Sequence, residues 1–169
     1  MSDPLHASPP ACAQTLRALS RYPDRTAFAW PEGSLSYGGT IDLIGRIQGV
    51  FMRLGLQPGA RVAFLTANRA DTWCAGVAAQ LARLCITWLH PLGSLEDQLF
   101  QLEDSEAEML VVDAAAFHDR GGELAAKAGR LKASSPWGRP ATASICWPPS
   151  KMPDMRARCA LPAPTISPR

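Results

Sequence analysis

Three short apolar runs restrict this chain more than any other feature: Arg61–Ala67 (RVAFLTA), Cys85–Leu89 (CITWL) and Met109–Val112 (MLVV). A strand that is apolar at nearly every position has both faces covered, and that is the condition of a strand inside a parallel sheet. The stretch between successive runs is long enough for a helical crossover and too long for a hairpin turn. Strand, crossover helix and parallel strand pack with one hand. The expected fold class is therefore α/β: a partial doubly wound parallel sheet with flanking helices.

The stretches between the runs carry helical periodicity. From Gly39 to Leu54, Ile41, Ile44, Ile47, Val50, Phe51 and Leu54 recur at steps of three and four, with Gly55 placed to end the helix. Asn68 is expected to cap a helix over Arg69–Leu84, packed through Trp73, Val77 and Leu81. Ser94, with Asp97 three residues on, opens a further helix whose inner stripe is Leu95, Leu99 and Leu102. The last helix spans Ala114–Leu131, with a break expected at Gly121-Gly122. Upstream, Met1–Pro10 is a loose lead-in, Cys12–Tyr22 a short helix with Leu16 and Leu19 inward, and Thr26–Trp30 and Ser34–Tyr37 a hairpin turned by Pro31-Glu32-Gly33.

This order fails at Ala133 and Ser134. The remaining 36 residues hold 8 of the 15 prolines, five basic residues and one acid, Asp154. The chain thus divides into a lead-in (1–10), an α/β body (11–133) and a tail (134–169) expected to be an unstructured, disordered Pro/Arg-rich C-terminal segment. With plausible codons chosen, back-translating Ala133–Pro149 and moving the frame by one base gives "LLTLGPAGYGVDLLAA", a strand, turn and helix start, so the tail is expected to be out of frame after a lost base near codon 133. The competing reading is an interaction segment. Pro148-Pro149 could dock an aromatic groove, but no PxxP repeat accompanies it.

Charge and composition exclude several functions. Net charge is +2, with the tail basic and the body at 12 basic against 14 acidic residues. No Lys/Arg stripe marks the body, so nucleic acid is not an expected partner. Cys12, Cys74, Cys85, Cys146 and Cys159 form no CxxC pair, and His6, His90 and His118 are scattered, so no metal site is expected. No run approaches the ~18 apolar residues of a membrane span. The expected compartment is cytoplasmic, with reduced thiols.

Leu35-Ser36-Tyr37 before the long helix, then Leu56-Gln57-Pro58-Gly59-Ala60-Arg61-Val62-Ala63, resemble the opening of AMP-forming acyl-CoA synthetases, the adenylate-forming fatty-acid–CoA ligases. Asn68, the Ala-rich helix through Leu84, the strand ending in His90-Pro91, and Leu99–Val112 (LFQLEDSEAEMLVV) fit the same pattern, which covers Leu16–Leu131. The resemblance implies a ligase that joins a carboxylic acid to CoA through an acyl-adenylate, with ATP, Mg and CoA as the full-length enzyme's cofactors. Its Ser/Thr/Gly-rich phosphate loop, Tyr-Gly-x-Thr-Glu segment, ribose-binding aspartate and C-terminal lysine have no counterpart in these residues. None of those cofactors is therefore expected to bind this fragment, which is expected to be inactive alone. No catalytic, cofactor-binding or metal residue is assigned.

Three features nearest to a site have plainer readings. His90 stands where many relatives have Asn, and its ring is expected to hydrogen-bond locally at the strand end. Asp113 lies at the end of a strand, where such sheets place ligands, yet it reads first as a helix cap. Trp73, Trp88 and Phe100 fall on apolar stripes and are expected in the core, with pocket lining as the alternative. The alternative function is a small non-catalytic protein- or ligand-binding α/β module. In that case the sheet edge left open beyond Val112 would allow self-association.

Overall fold

The computed structural model describes residues 11–129, residue 131 and the backbone of residues 142–145. Helix α1 (Ala11–Arg21) leads into an antiparallel hairpin of β1 (Thr26–Trp30) and β2 (Gly33–Ser36). Then follow α2 (Tyr37–Arg53), β3 (Arg61–Leu65), α3 (Ala70–Leu81), β4 (Cys85–Trp88), α4 (Leu95–Asp104), β5 (Met109–Asp113), α5 (Ala114–Lys127) and β6 (Thr142–Ile145). Strands β4-β3-β5-β6 form one sheet in that order, parallel at every pairing. The expected parallel α/β sheet is therefore present.

Alternation along β3 and β5 sends side chains into two cores. Val62 and Phe64 of β3, with Met109 and Val111 of β5, face Ile44, Ile47 and Phe51 of α2 and Cys74, Ala75, Ala78 and Ala79 of α3. Ala63, Leu65, Leu110 and Val112 face the other way, onto Leu102 of α4 and Leu124 of α5. Both faces are dry, which explains why these strands read as continuous apolar runs. Each large side chain buried this way contributes roughly 1.5–3 kcal/mol before chain entropy is counted. The α2 stripe is the expected one, except that Leu43 is buried and Val50 is 39% exposed.

Helix ends follow local chemistry at some places and tertiary need at others. Ser36 caps α2 by accepting from the Gly39 N–H at 3.1 Å. Ser94 caps α4 through the Asp97 N–H at 3.0 Å, and its hydroxyl donates back to the Asp97 carboxylate at 2.7 Å. Asn68 does not cap α3: the cap position is Arg69, which makes no side-chain cap bond, and Asp71 accepts from the Thr72 N–H and the Arg69 guanidinium instead. Three helices close with a left-handed residue, Gly55 (φ 76), Arg83 (φ 59) and Glu106 (φ 48). Each is followed by a bond back to the last turn: Leu56 N–H to Phe51 C=O, Leu84 N–H to Ala79 C=O and Ala107 N–H to Leu102 C=O. Only the glycine could announce itself in sequence.

Two expectations are corrected. Gly121-Gly122 does not break α5; the departure from helical geometry is at Phe117 (φ −134, ψ 28), and the helix runs on to Lys127. Gly121 is there because a Cβ would lie 2.8 Å from both Cγ atoms of Val112, so the helix approaches the sheet where only glycine fits. The edge of β5 is not left open beyond Val112: β6 pairs with it over Leu110–Asp113. That strand falls inside the tail, whose other residues lie outside the described ones. Among the described residues β4, at the opposite end of the sheet, is paired on one side only.

Candidate functional site

β3 is followed by a helix on one face of the sheet, and β5 by a helix on the other. Neighbouring strands whose connections part in this way leave a crevice at their carboxyl ends, the usual ligand position in open α/β sheets. Around it the chain places Thr66–Asp71 after β3, His90–Ser94 after β4, and Asp113 with the first turn of α5 after β5.

Asp113 is 6% exposed. Its Oδ1 accepts from the Ala115 N–H at 3.1 Å, capping α5 as the sequence suggested, while Oδ2 is buried with no partner among the described residues. The turn of α5 just beyond it, with the kink at Phe117, borders an open depression of about 420 Å³ lined by Ala114–Arg120 and Glu123. The Arg69 guanidinium, 3.1 Å from Asp71, holds a carboxylate in the first turn of α3.

The turn after β4 is the most fully determined part. His90 Nδ1 accepts from the Leu92 N–H at 3.2 Å, the local bond expected of this ring, and the Gly93 N–H donates to the His90 carbonyl at 3.0 Å. Gln98, buried in α4 at 1% exposure, donates from Nε2 to that same carbonyl at 2.8 Å. Its Oε1 accepts from Arg120 of α5 at 3.2 Å, and Arg120 also reaches the Gly93 carbonyl at 3.4 Å. Sequence reasoning had no access to this group, because Gln98 and Arg120 are 22 residues apart and meet only when α4 and α5 pack on one face of the sheet.

The three aromatic side chains expected in the core are not there. Trp73 is 39% exposed and meets Phe28 edge-on at 5.4 Å, bordering a shallow groove of about 400 Å³ with Thr15, Leu19 and Tyr37. Trp88 is 50% exposed on the edge strand, with one face on Phe64 (4.7 Å) and its rim over Gly76. Phe100 is 67% exposed on α4. The stripes are apolar as read, but they look outward at these positions, and for Trp88 the reason is that no described strand covers the far side of β4.

Among the described residues, Cys12 and Cys74 are buried free thiols and Cys85 is an exposed one. Burial pushes the Cys74 thiol from 9.0 up to about 12, with the charge of Asp71 adding to it, so it stays protonated at neutral pH. No group of three His, Cys, Asp or Glu side chains comes together among the described residues, and none of their helices is long and apolar enough to cross a membrane.

A parallel sheet with helices on both faces defines an open α/β domain. The chain belongs to the AMP-binding enzyme family, whose model matches residues 16–146, and this match reaches through β6. A relative at 31% identity over 96 residues is the medium/long-chain-fatty-acid–CoA ligase FadD8 of Mycobacterium tuberculosis; the aligned part is 57% of this chain and 17% of that protein. A benzoate CoA ligase from Burkholderia xenovorans shares the fold with a TM-score of 0.64 at 20% identity, over 70% of this chain and 24% of that one. A Rhodopseudomonas palustris protein described as a long-chain-fatty-acid CoA ligase does so at 0.66 and 21%, over 79% and 32%. The chain thus spans a third or less of the length of these relatives.

Proposed function

We propose that this chain is the N-terminal segment of an ATP-dependent acyl-CoA synthetase, in which a carboxylate attacks the α-phosphate of ATP, pyrophosphate leaves, and the acyl-adenylate passes its acyl group to the CoA thiol with release of AMP. The observation that carries this reading is the family match over residues 16–146, laid on a four-stranded parallel sheet of order β4-β3-β5-β6. We propose further that the 169 residues do not form acyl-adenylate alone. The reason is chemical: phosphoryl chemistry of this kind depends on backbone N–H cradles and positioned cations, and the 169 residues contain no Ser/Thr/Gly-rich phosphate loop. ATP, Mg and CoA are accordingly assigned to the longer enzyme and not to this segment.

The test is ATP–pyrophosphate exchange with a panel of fatty and aromatic acids. The purified chain is expected to give no exchange above background, while a chimaera carrying residues 16–131, upstream of the proposed frame change, in place of the matching segment of an active fatty-acid–CoA ligase is expected to exchange. Turnover by the chain alone refutes inactivity, and a folded but silent chimaera refutes the ligase assignment.

A second reading, a non-catalytic module that self-associates or binds a protein partner, is favoured by one observation: the half-exposed Trp88 on the edge strand β4. Size-exclusion chromatography with light scattering separates the two, since a stable stoichiometric assembly supports the module and a monomer opposes it. The frame of the tail is a separate proposal. Its composition changes at Ser134, whereas the family match continues to residue 146 and β6 spans Thr142–Ile145. Sequencing source DNA across the codons for Leu124–Arg169 decides it: an extra base near codon 133 supports the shift, and its absence refutes it.

A further inference from the structure

The turn at the carboxyl end of β4 is held from three sides by groups whose hydrogen-bonding roles are forced. The His90 carbonyl can only accept, so the Gln98 amide nitrogen must face it, and the amide oxygen must then face the Arg120 guanidinium, which can only donate. The Leu92 N–H is a donor, so His90 Nδ1 must offer a lone pair. In the neutral ring the proton therefore sits on Nε2. A Cβ at Gly93 would come within 3.1 Å of the His90 carbonyl oxygen and 3.4 Å of Gln98 Cγ, so the turn is closed against its clamp. Gln98 is 1% exposed and the Arg120 side chain 35% exposed, and Glu123 lies 3.6 Å from the guanidinium.

We propose that Gln98 and Arg120 are positioning residues that fix the His90–Gly93 turn and thereby the tautomer of His90, leaving Nε2–H as a set hydrogen-bond donor on an exposed ring at the carboxyl end of the sheet. The purpose of that donor, to meet an acceptor oxygen of the acid activated there, rests on the ligase reading. The tautomer does not, so failure of one is distinguishable from failure of the other. The carboxamide and guanidinium act on the main-chain carbonyls of His90 and Gly93, so they orient the ring through the backbone of the turn, whose Leu92 N–H meets Nδ1.

The experiment is nitrogen-15 NMR of the 169-residue chain at a pH where His90 is neutral, in the parent and in Gln98→Met, Arg120→Met and Arg120→Lys. The parent is expected to show the Nε2–H form. Gln98→Met and Arg120→Met are expected to move the ring nitrogens toward the mixed-tautomer average and to speed Leu92 and Gly93 amide exchange about tenfold, the effect of one lost buried hydrogen bond. Arg120→Lys, which keeps a donor, is expected to retain the parent pattern. Should Gln98→Met fail to fold, Arg120→Met carries the test, because that side chain is partly in solvent. A parent in the Nδ1–H form, or a folded Arg120→Met with unchanged ring shifts and amide exchange, overturns the proposal.

Discussion

Two adjacent glycines in α5 should respond to alanine with opposite signs. Alanine is worth about 0.5–1 kcal/mol over glycine inside a helix, because glycine loses more backbone freedom on folding. Gly122 should show that gain undiminished, since a Cβ there meets nothing within 4 Å. At Gly121 the same Cβ would lie 2.8 Å from Val112 Cγ1, 2.8 Å from Cγ2 and 3.3 Å from Cβ, against a preferred carbon–carbon separation of about 3.5–4.0 Å. Val112 is 1% exposed in a strand paired on both sides, so it cannot withdraw. Rotating its β-branched side chain does not help, because a turn to another staggered well leaves one methyl in the way. Overpacking of this kind costs about 1–3 kcal/mol, so Gly121→Ala should lose a net ~1–2 kcal/mol. In urea, with a slope of about 1–3 kcal/mol per molar, the midpoint should fall by roughly 1 M. Pairing Gly121→Ala with Val112→Ala should recover at least ~1 kcal/mol of the loss as a coupling term, because the second change removes the obstructing methyls. A Gly121→Ala midpoint at or above that of the parent, or a Gly122→Ala loss of equal size, would refute the close-approach argument and restore the idea that the glycine pair is a helix break.

Two further outcomes follow from single residues. Alkylation at pH 8 followed by peptide mapping should label exposed Cys85 and leave Cys74 unmodified in the folded chain, because a thiol raised to about 12 holds almost no thiolate there. The same shift makes Cys74 stabilising below pH 9.0, and this contribution is lost as pH rises toward 12, because only the unfolded chain sheds the proton across that interval; Cys74→Ala should flatten that part of the stability–pH curve. Arg83→Gly should raise stability by about 0.5–1 kcal/mol in thermal or urea unfolding, since its positive φ of 59 penalises any Cβ and its exposed side chain forms no ion pair among the described residues.

The order and type of the elements from α1 to α5 were legible in the chain alone, because each depends on interactions within a few residues. Continuous apolar runs marked β3, β4 and β5, steps of three and four marked α2 and α4, and Ser94 with Asp97 marked a cap through bonds spanning three residues. Asp113 as the cap of α5 was legible for the same reason. Packing settled whatever needs two elements at once. The place of β6 beside β5 rests on main-chain pairing across the sheet and not on the proline-rich composition around it. Gly121 faces Val112, and Trp88 sits half in solvent, because helix and strand meet at one distance and β4 lies at the edge. The clamp on the His90 turn belongs to the same class: Gln98 and Arg120 have no signature in sequence, since only the packing of α4 beside α5 brings amide and guanidinium within 3.2 Å.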